Sequence, residues 1–434
     1  MQKEAHIRVT RRAVGHVAAR TAELPFENVA EPRVGKITLK MRTFFVTVFT
    51  GMVAGCKGLA EVERLTTNLG SGARKLLGVW KRVPDTTMRD LVMHLGGQVD
   101  SLRGLIHVQI RQAERRKQIT HDLPVRAVSM DGHVTATNMA DAVNAKVKFA
   151  QQQGGQWVVR TITSCLASAV GRPVLDLFPI PPETNEMGIF VRALDALLMA
   201  YGRKLFDVVM YDAGACSLAN ATAVVKRELE YVFCLTKHQQ ELFAEAGRVL
   251  EKLTQNKALA VTTDLVGGKL VTRRLWLTTS MAGWLGWSHL KTVLRVESVV
   301  EDKTTGVTTV ENRYYLSSMA HDKLTSADWL TLLRRRWAVE NDCHNTWDKI
   351  LREDTRPWLK APAGMVVVMV MRRLAYNLLT LYRSVTTRAE SKRARPWKDL
   401  IEEIYVSLIR ATLETLAGMR SRPRQATGEV VATS

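Results

Sequence analysis

The chain has 434 residues, of which 46% are hydrophobic and 6% aromatic, and its formal net charge is +20 at pH 7. This length and composition predict a globular protein of two or three domains and argue against a protein built mainly for stacking on bases. The charge favours a polyanionic partner through long-range attraction and counterion release. Nucleic acid is the expected partner, and an anionic membrane surface is the alternative.

The cysteines and the apolar stretches indicate the cellular compartment in which the protein is expected. The five cysteines are scattered without a C-x-x-C pair, which fits a reducing compartment and argues against a zinc ribbon. The longest apolar stretches, Phe44–Cys56 and Ala363–Met371, are shorter than the roughly 20 residues of a membrane-spanning helix. We therefore expect a cytoplasmic, nucleoid-associated protein with no membrane partner.

The first 120 residues are strongly basic, with 21 Lys and Arg against 10 Asp and Glu. Residues 1–40 lack clear periodicity and predict a flexible basic arm. Residues 41–120 show helical spacing with glycine breaks and predict a helical DNA-binding domain. The last of these helices ends in Arg115, Arg116 and Lys117. This basic cluster either contacts phosphates or forms a solvated helix end that the helix dipole favours.

The middle of the chain changes to strand patterns. Apolar runs and helical spacing within residues 121–239 give the order β-β-β-α-β-α-β, which predicts an α/β fold with a mixed sheet flanked by helices. Residues 240–324 predict a β-rich insertion, because the segments 259–264, 269–279, 291–301 and 306–317 are rich in Thr and Val. Residues 325–388 return to helix, and residues 389–434 predict a basic, partly disordered tail.

Two aspartates directly follow apolar strand patterns. Asp131 comes after Val125–Met130, and Asp212 comes after Phe206–Tyr211. A carboxylate at the end of a strand in an α/β fold can face a cleft and do chemistry there. The alternatives are a hairpin turn at Asp131 and capping of the following helix by Asp212.

A third carboxylate lies within the predicted helix 334–351. Arg336, Glu340, His344 and then Trp347 or Asp348 share one face of this helix. A stripe that mixes polar and charged groups with tryptophan is unusual for a face that only packs. The alternative is an ion pair between Arg336 and Glu340 on a solvated face.

Together the three carboxylates indicate metal-ion chemistry. Mg²⁺ takes hard oxygen ligands and keeps several waters, so a few carboxylates from separate elements are enough to hold it. Two such ions about 4 Å apart can activate the attacking oxygen and stabilise the leaving oxygen of a phosphodiester. Asp131, Asp212 and Glu340 in a basic chain therefore predict a metal-dependent enzyme that acts on nucleic acid.

Several segments resemble the insertion-sequence transposases of the IS4 group, especially the ISAs1-like branch. The signature R-H-W-x-I-E-N-x-L-H-W-x-L-D-…-E-D of that family is matched by residues 336–354, RWAVENDCHNTWDKILRED. The resemblance covers roughly residues 125–385. The other matching segments are 130–132 (MDG), 211–213 (YDA), 231–237 (YVFCLTK), 314–318 (YYLSS) and 373–379 (RLAYNLL).

This resemblance implies an RNase H-like catalytic core that uses Mg²⁺ or Mn²⁺. It implies a DDE transposase that cuts double-stranded DNA at terminal inverted repeats and joins the ends to target DNA, acting as a homodimer or higher oligomer. By position, Asp131, Asp212 and Glu340 are its catalytic metal ligands, and Asn341 and His344 are auxiliary residues.

The same resemblance assigns a DNA phosphate contact to Arg336, and two further DNA contacts are predicted at Trp347 and at Lys349, which lies near the family's Lys position but out of register. The chain departs from the related Y-x-x-R-x-x-x-E-x-x-x-x-x-x-K pattern, because Leu333 occupies the Tyr position and Trp347 the Lys position. His133 replaces the usual Lys of the first motif.

Tryptophans offer a further contact with DNA, because an aromatic ring can stack on a displaced base. Core packing is the favoured role for Trp337, whereas for Trp347 stacking and packing are about equally favoured. The alternatives to a transposase are an RNase H-like nuclease without strand transfer and a non-catalytic DNA-binding protein derived from a transposase.

Overall fold

A computed structural model describes residues 2–35, 37–137, 150–153, 156–355, 358–386, 395–417 and 419. Ten strands in these residues form one sheet. They are β1 Ala127–Thr137, β2 Ala150–Gln153, β3 Gln156–Leu166, β4 Val174–Pro179, β5 Val208–Tyr211, β6 Glu230–Leu235, β7 Ala260–Val266, β8 Lys269–Thr278, β9 Thr292–Asp302 and β10 Thr308–Ser317.

Strand directions divide this mixed sheet into two regions. In the first, β3 pairs antiparallel with β1 on one side and with β2 and β4 on the other, and β1, β5 and β6 run parallel. In the second, β6, β10, β9, β8 and β7 follow one another in antiparallel pairs. The mixed α/β character predicted from the sequence is present.

The predicted β-rich insertion contains four strands close to their expected positions, β7 to β10. They do not form a separate unit. The end of β10 pairs with β6, with Tyr314 opposite Leu235 and Ser317 opposite Val232. The insertion therefore extends the central sheet on the β6 side, two strands away from β5, the strand that precedes Asp212.

Thirteen α-helices in the described residues pack on the two faces of this sheet and beyond its edge. They are α1 Gln2–Ala22, α2 Met41–Val53, α3 Leu59–Asn68, α4 Ser71–Leu77, α5 Asp85–His94, α6 Val99–Arg115, α7 Glu186–Tyr201, α8 Leu218–Lys226, α9 Gln240–Leu253, α10 Ser326–Arg335, α11 Asn345–Lys349, α12 Pro362–Leu381 and α13 Trp397–Arg410.

Helix α12 is the centre of the helical part. It begins with Pro362, whose missing N–H costs nothing in a first helical turn, and all of its residues are buried. It packs against α2, α5 and α6 and against strands β3 and β4. Among the described residues it is long and apolar enough to cross a membrane, but it is wholly buried inside the protein.

The two ends of the described chain lie together. Residues 1–40 were expected to form a flexible arm, but they contain helix α1, which packs against α13. The Arg11 side chain donates to the carbonyl oxygens of Thr415 and Ala417. Buried residues between 41 and 110 and between 359 and 382 share one hydrophobic core with this pair, whereas α10 and the segment around Glu340 pack in a second core. Of the predicted tail, residues 420–434 lie outside the described residues.

Candidate active site

Two neighbouring parallel strands place the first two carboxylates. Met130 of β1 is opposite Tyr211 of β5, and Asp131 and Asp212 are the next residues along each strand. Strands in a sheet lie roughly 4.8 Å apart, so the two aspartates are neighbours. Strand β1 continues to Thr137, so the hairpin alternative for Asp131 is wrong.

Asp212 is held by the loop that follows it. Its Oδ1 accepts a hydrogen bond from the backbone N–H of Gly214 at 2.7 Å. The next helix, α8, is capped instead by Ser217, whose hydroxyl accepts from the N–H of Asn220. The alternative in which Asp212 only caps that helix is therefore wrong, and its carboxylate stays at the end of β5.

Glu340 lies in a π-helical segment, Val339–His344, between α10 and α11. The helix expected to be continuous over 334–351 is thus interrupted around the carboxylate. Single π-helical turns are rare and frequently occur at functional sites. The hydroxyl of Ser129 in β1 donates to the carbonyl oxygen of Arg336 at 2.5 Å, which joins this helix to the strand that carries Asp131.

A fourth carboxylate, Glu186, lies in the same cluster, and sequence reasoning missed it. It is the first residue of α7, after the capping residue Asn185. A Cβ on Gly214 would lie 3.0 Å from Asp212 Oδ1 and 3.3 Å from Glu186 Oε2, so both carboxylates close over this glycine. A Cβ on Gly132 would overlap the Glu186 carboxylate. The signal was weak, because an acidic residue in a first helical turn is common.

The cluster is strongly repulsive when all its members are charged. Burial, followed by the charges of Glu340, Asp212 and Glu186, raises the pKa of Asp131 to about 8. Burial, and then Asp212, also raises the pKa of Glu186. The pKa of Glu340 is raised by burial, while the nearby Arg336 opposes this shift.

These residues fit a hard divalent cation. The donors are all carboxylate oxygens, which Mg²⁺ and Mn²⁺ prefer, and they come from four separate elements that lie close enough for their charges to raise one another's pKa. A charged Asp131 packed among three other carboxylates is favoured only when a cation neutralises the group. Asp131, Glu186, Asp212 and Glu340 are therefore the residues that would hold such ions.

Two histidines lie on the other side of Asp131. His344 Nδ1 is 3.7 Å from Asp131 Oδ2, and its ring lies against that of His133 with centroids 4.6 Å apart. Burial and the charges of His133 and Arg373 lower the pKa of His344 well below its usual value. His344 is therefore a neutral neighbour of the cluster. Asn341, the other predicted auxiliary residue, is exposed.

The structure buries one of the two tryptophans and leaves the other partly exposed. Trp347 is fully buried, and the Arg373 guanidinium lies 3.6 Å from its ring centroid. Its predicted contact with DNA is therefore wrong. Trp337, expected in the core, is partly exposed and lies between the guanidinium groups of Arg336 at 3.8 Å and Arg313 at 4.3 Å.

The predicted DNA-contacting cations occupy different positions. Arg336 is only 5% exposed, so it lies behind the site, and the alternative of a solvated ion pair is wrong. Lys349 is exposed on α11. Arg115 and Lys117 are exposed at the end of α6, where Arg116 pairs with Glu23.

A groove of about 630 Å³ leads away from Glu340 between α10 and the face of strands β8 to β10. Its lining includes Trp337 and the arginines 273, 313, 334 and 335. Some of these arginines already have partners, since Arg273 and Arg334 both contact Asp264 at 2.9 Å. The groove is therefore a polar surface of mixed charge with one aromatic ring.

No protein-family model matches this chain, and no curated protein matches its sequence. Among solved structures, the chain is similar to a piggyBac transposase in a synaptic complex with hairpin DNA. The similarity covers 93% of this chain and 80% of that one, at 12% sequence identity and a TM-score of 0.42. At that score the similarity carries no argument about function.

Proposed function

We propose that this protein is a DNA transposase of the DDE type, with Asp131, Asp212 and Glu340 as its metal ligands. The observation that carries the proposal is the convergence of these three carboxylates, which are far apart in the sequence, at one end of the β1–β5 ladder. The signature around Glu340 supports placement in the IS4 group, ISAs1-like branch.

The order of the first strands supports an RNase H-like core. Strands β4, β3, β1, β5 and β6 are neighbours in that order, with the first three antiparallel and the last three parallel. The catalytic aspartates of the proposal follow paired positions in the two central strands. We propose Glu186 as a fourth oxygen ligand of the same site.

Bound Mg²⁺ or Mn²⁺ ions supply the chemistry of phosphodiester cleavage by activating the attacking oxygen and stabilising the leaving one. The residues of the chain would hold the ions in place and balance the charge of the site. Four carboxylates fix the ion positions, and the buried Arg336 offsets part of their charge from behind Glu340. Neutral His344 limits the positive charge beside Asp131.

DNA reaches the site along the groove in this proposal. Its arginines would exchange their carboxylate partners for phosphates, and the net charge of +20 favours that exchange. Trp337 is the ring beside Glu340 that would meet an end of the substrate. We propose double-stranded terminal repeats and target DNA as partners, a homodimer or higher oligomer on DNA, and a cytoplasmic location at the nucleoid.

Strand cleavage of a DNA substrate with a repeat end, in the presence of Mg²⁺, tests the proposal. Asp131→Asn and Glu340→Gln should each reduce cleavage by roughly 1,000-fold or more, because losing a ligand removes transition-state stabilisation of several kcal/mol. Asp90→Asn, which changes an exposed carboxylate on α5, is the matched control. Cleavage at the wild-type rate by both ligand variants would rule out the assignment.

The same assay separates the other candidate functions. A product in which the freed 3′ end is joined to target DNA indicates a transposase, whereas cleavage without joining indicates a nuclease on the same core. Binding of DNA with no metal-dependent cleavage indicates a non-catalytic protein. The presence of all three proposed metal ligands in one cluster favours an active enzyme.

A further inference from the structure

A second group of metal-binding side chains lies beside the carboxylate cluster. His133, Asp348 and Asp354 each offer one ligand atom, and these atoms all lie within 4.8 Å of one another. His133 is on β1, two residues after Asp131, and Asp348 is on α11, eight residues after Glu340. Asp354 is exposed, so the group can be reached from solvent.

A buried polar atom faces this group. Glu353 is fully buried, and its Oε1 has no hydrogen-bond partner among the described residues. That oxygen lies 3.9 Å from His133 Nε2, which also has no hydrogen-bond partner in the same part of the chain. The separation is too long for a hydrogen bond. Two facing buried atoms that both need a partner point to a ligand between or beside them.

The local charge favours a cation. Three carboxylates meet here, those of Asp348, Glu353 and Asp354. They face two buried guanidinium groups, Arg372 and Arg373, and both of these contact the other oxygen of Glu353. Arg373 also acts on Asp348, but burial and the charges of Asp354 and Glu353 outweigh it and raise the pKa of Asp348 to about 6, so a further cation beside these carboxylates is favourable.

We propose that His133, Asp348 and Asp354 bind a divalent transition-metal ion, with Glu353 Oε1 facing the bound ion or one of its waters. One imidazole nitrogen with two carboxylate oxygens is a donor set that suits Zn²⁺, Mn²⁺ or Co²⁺ better than Mg²⁺, which prefers oxygen alone. The site is separate from the cluster of Asp131, Glu186, Asp212 and Glu340.

Such an ion ties together two elements of the candidate active site. It links β1 just beyond Asp131 to α11 just beyond Glu340, and it also holds the turn that contains Asp354. The role is to fix the distance between the strand and the helix. Binding at this site does not depend on cleavage, so it can be tested whether or not the proposed function holds.

The test uses the full chain, freed of metal by a chelator, with Asp131→Asn and Glu340→Gln combined to weaken the other site. Titration with Co²⁺, followed by calorimetry and visible absorption, should give one bound ion per chain. Adding Asp354→Asn should weaken binding by at least about 100-fold, above the roughly 10- to 100-fold typical for loss of an outer partner. Asp90→Asn is the matched control and should leave binding unchanged.

His133→Gln provides an independent comparison, because replacing the nitrogen ligand should also change the visible bands of the remaining Co²⁺. Circular dichroism and thermal melting without metal identify any variant that fails to fold. The proposal is overturned if the doubly substituted protein binds no Co²⁺, as it would if Asp348 and Asp354 only shared a proton. It is also overturned if folded Asp354→Asn and His133→Gln proteins bind Co²⁺ as tightly as their parent.

Discussion

The Ser129 hydroxyl donates a hydrogen bond of 2.5 Å to the carbonyl oxygen of Arg336, across the gap between β1 and the end of α10. Both groups are buried, so the bond fixes the strand and the helix at one point. Asp131 lies two residues beyond this point and Glu340 four residues beyond it. The spacing of two proposed metal ligands therefore depends on a residue that is not itself a ligand.

Ser129→Ala should reduce both the rate of DNA cleavage and the free energy of unfolding. Loss of the bond leaves a buried carbonyl oxygen without its donor, at a cost of about 1–3 kcal/mol in the free energy of unfolding. A shift of the strand relative to the helix should reduce the cleavage rate by roughly tenfold to 100-fold. Urea denaturation measures the stability and single-turnover cleavage measures the rate, while DNA-binding anisotropy shows whether the variant still binds its substrate. An unchanged cleavage rate would show that the bond does not position the ligands.

The stability of the metal-free protein should fall with rising pH because of Asp131. Its pKa is raised to about 8, so between the usual value near 4 and that value the folded state holds a proton that the unfolded state has released. The free energy of unfolding should therefore decline across this window by about 2–5 kcal/mol, and then level off above it.

Denaturation in chelator at several pH values checks this dependence. Asp131→Asn should flatten the decline, because asparagine does not titrate, and excess Mg²⁺ should restore stability at pH 8 by neutralising the cluster. A slope that is identical in the wild-type and Asp131→Asn proteins would contradict the assignment to this carboxyl group.

Glu186→Gln should weaken metal-dependent cleavage without preventing folding. Removing one of four carboxylates lowers the affinity for the ions, and we expect a 10- to 100-fold slower reaction at limiting Mg²⁺, partly recovered at high Mg²⁺. Glu183→Gln changes an exposed carboxylate three residues earlier and is the matched control. If the two variants cleave equally well at every Mg²⁺ concentration, Glu186 is not a ligand.

Two tryptophan substitutions should affect different properties, one mainly the stability of the protein and the other mainly its binding of DNA. Trp347→Ala removes a fully buried ring and should cost about 3–5 kcal/mol of stability. Trp337→Ala removes a partly exposed ring beside Glu340 and should weaken binding of DNA ends by roughly tenfold with a smaller loss of stability. Fluorescence anisotropy and thermal melting separate the effects, with Tyr405→Ala, at an exposed ring 37% accessible, as control. Equal DNA affinity for the Trp337 and Tyr405 variants would exclude Trp337 from the interface.

Local patterns predicted the strands well because their signals are short-range. The four strands between residues 260 and 317 lie near their expected bounds, and Asp131 and Asp212 follow apolar runs that do form paired strands. Alternation and turn residues are enough to place such elements. Their joining into one sheet was not predicted, because the β10–β6 pairing is a long-range choice made by packing.

The helix that carries Glu340 shows why the positions of the two tryptophans were not predicted. A period of 3.6 residues places Trp347 near Glu340, but the π segment adds a residue to the turn and rotates everything after His344. Trp347 consequently points into the core and Trp337 lies beside the groove. Glu186 was missed for another reason, because its approach to Asp212 depends on how α7 docks on the sheet.

The contact between α1 and α13 has a consequence for biosynthesis. Helix α1 is synthesised well before its partner, which begins at Trp397, about 375 residues after α1 ends at Ala22. At roughly 5–20 residues per second, that interval lasts on the order of 20–75 s. Throughout it α1 lacks this partner, so the contact between the two helices can form only after the residues of α13 have been synthesised.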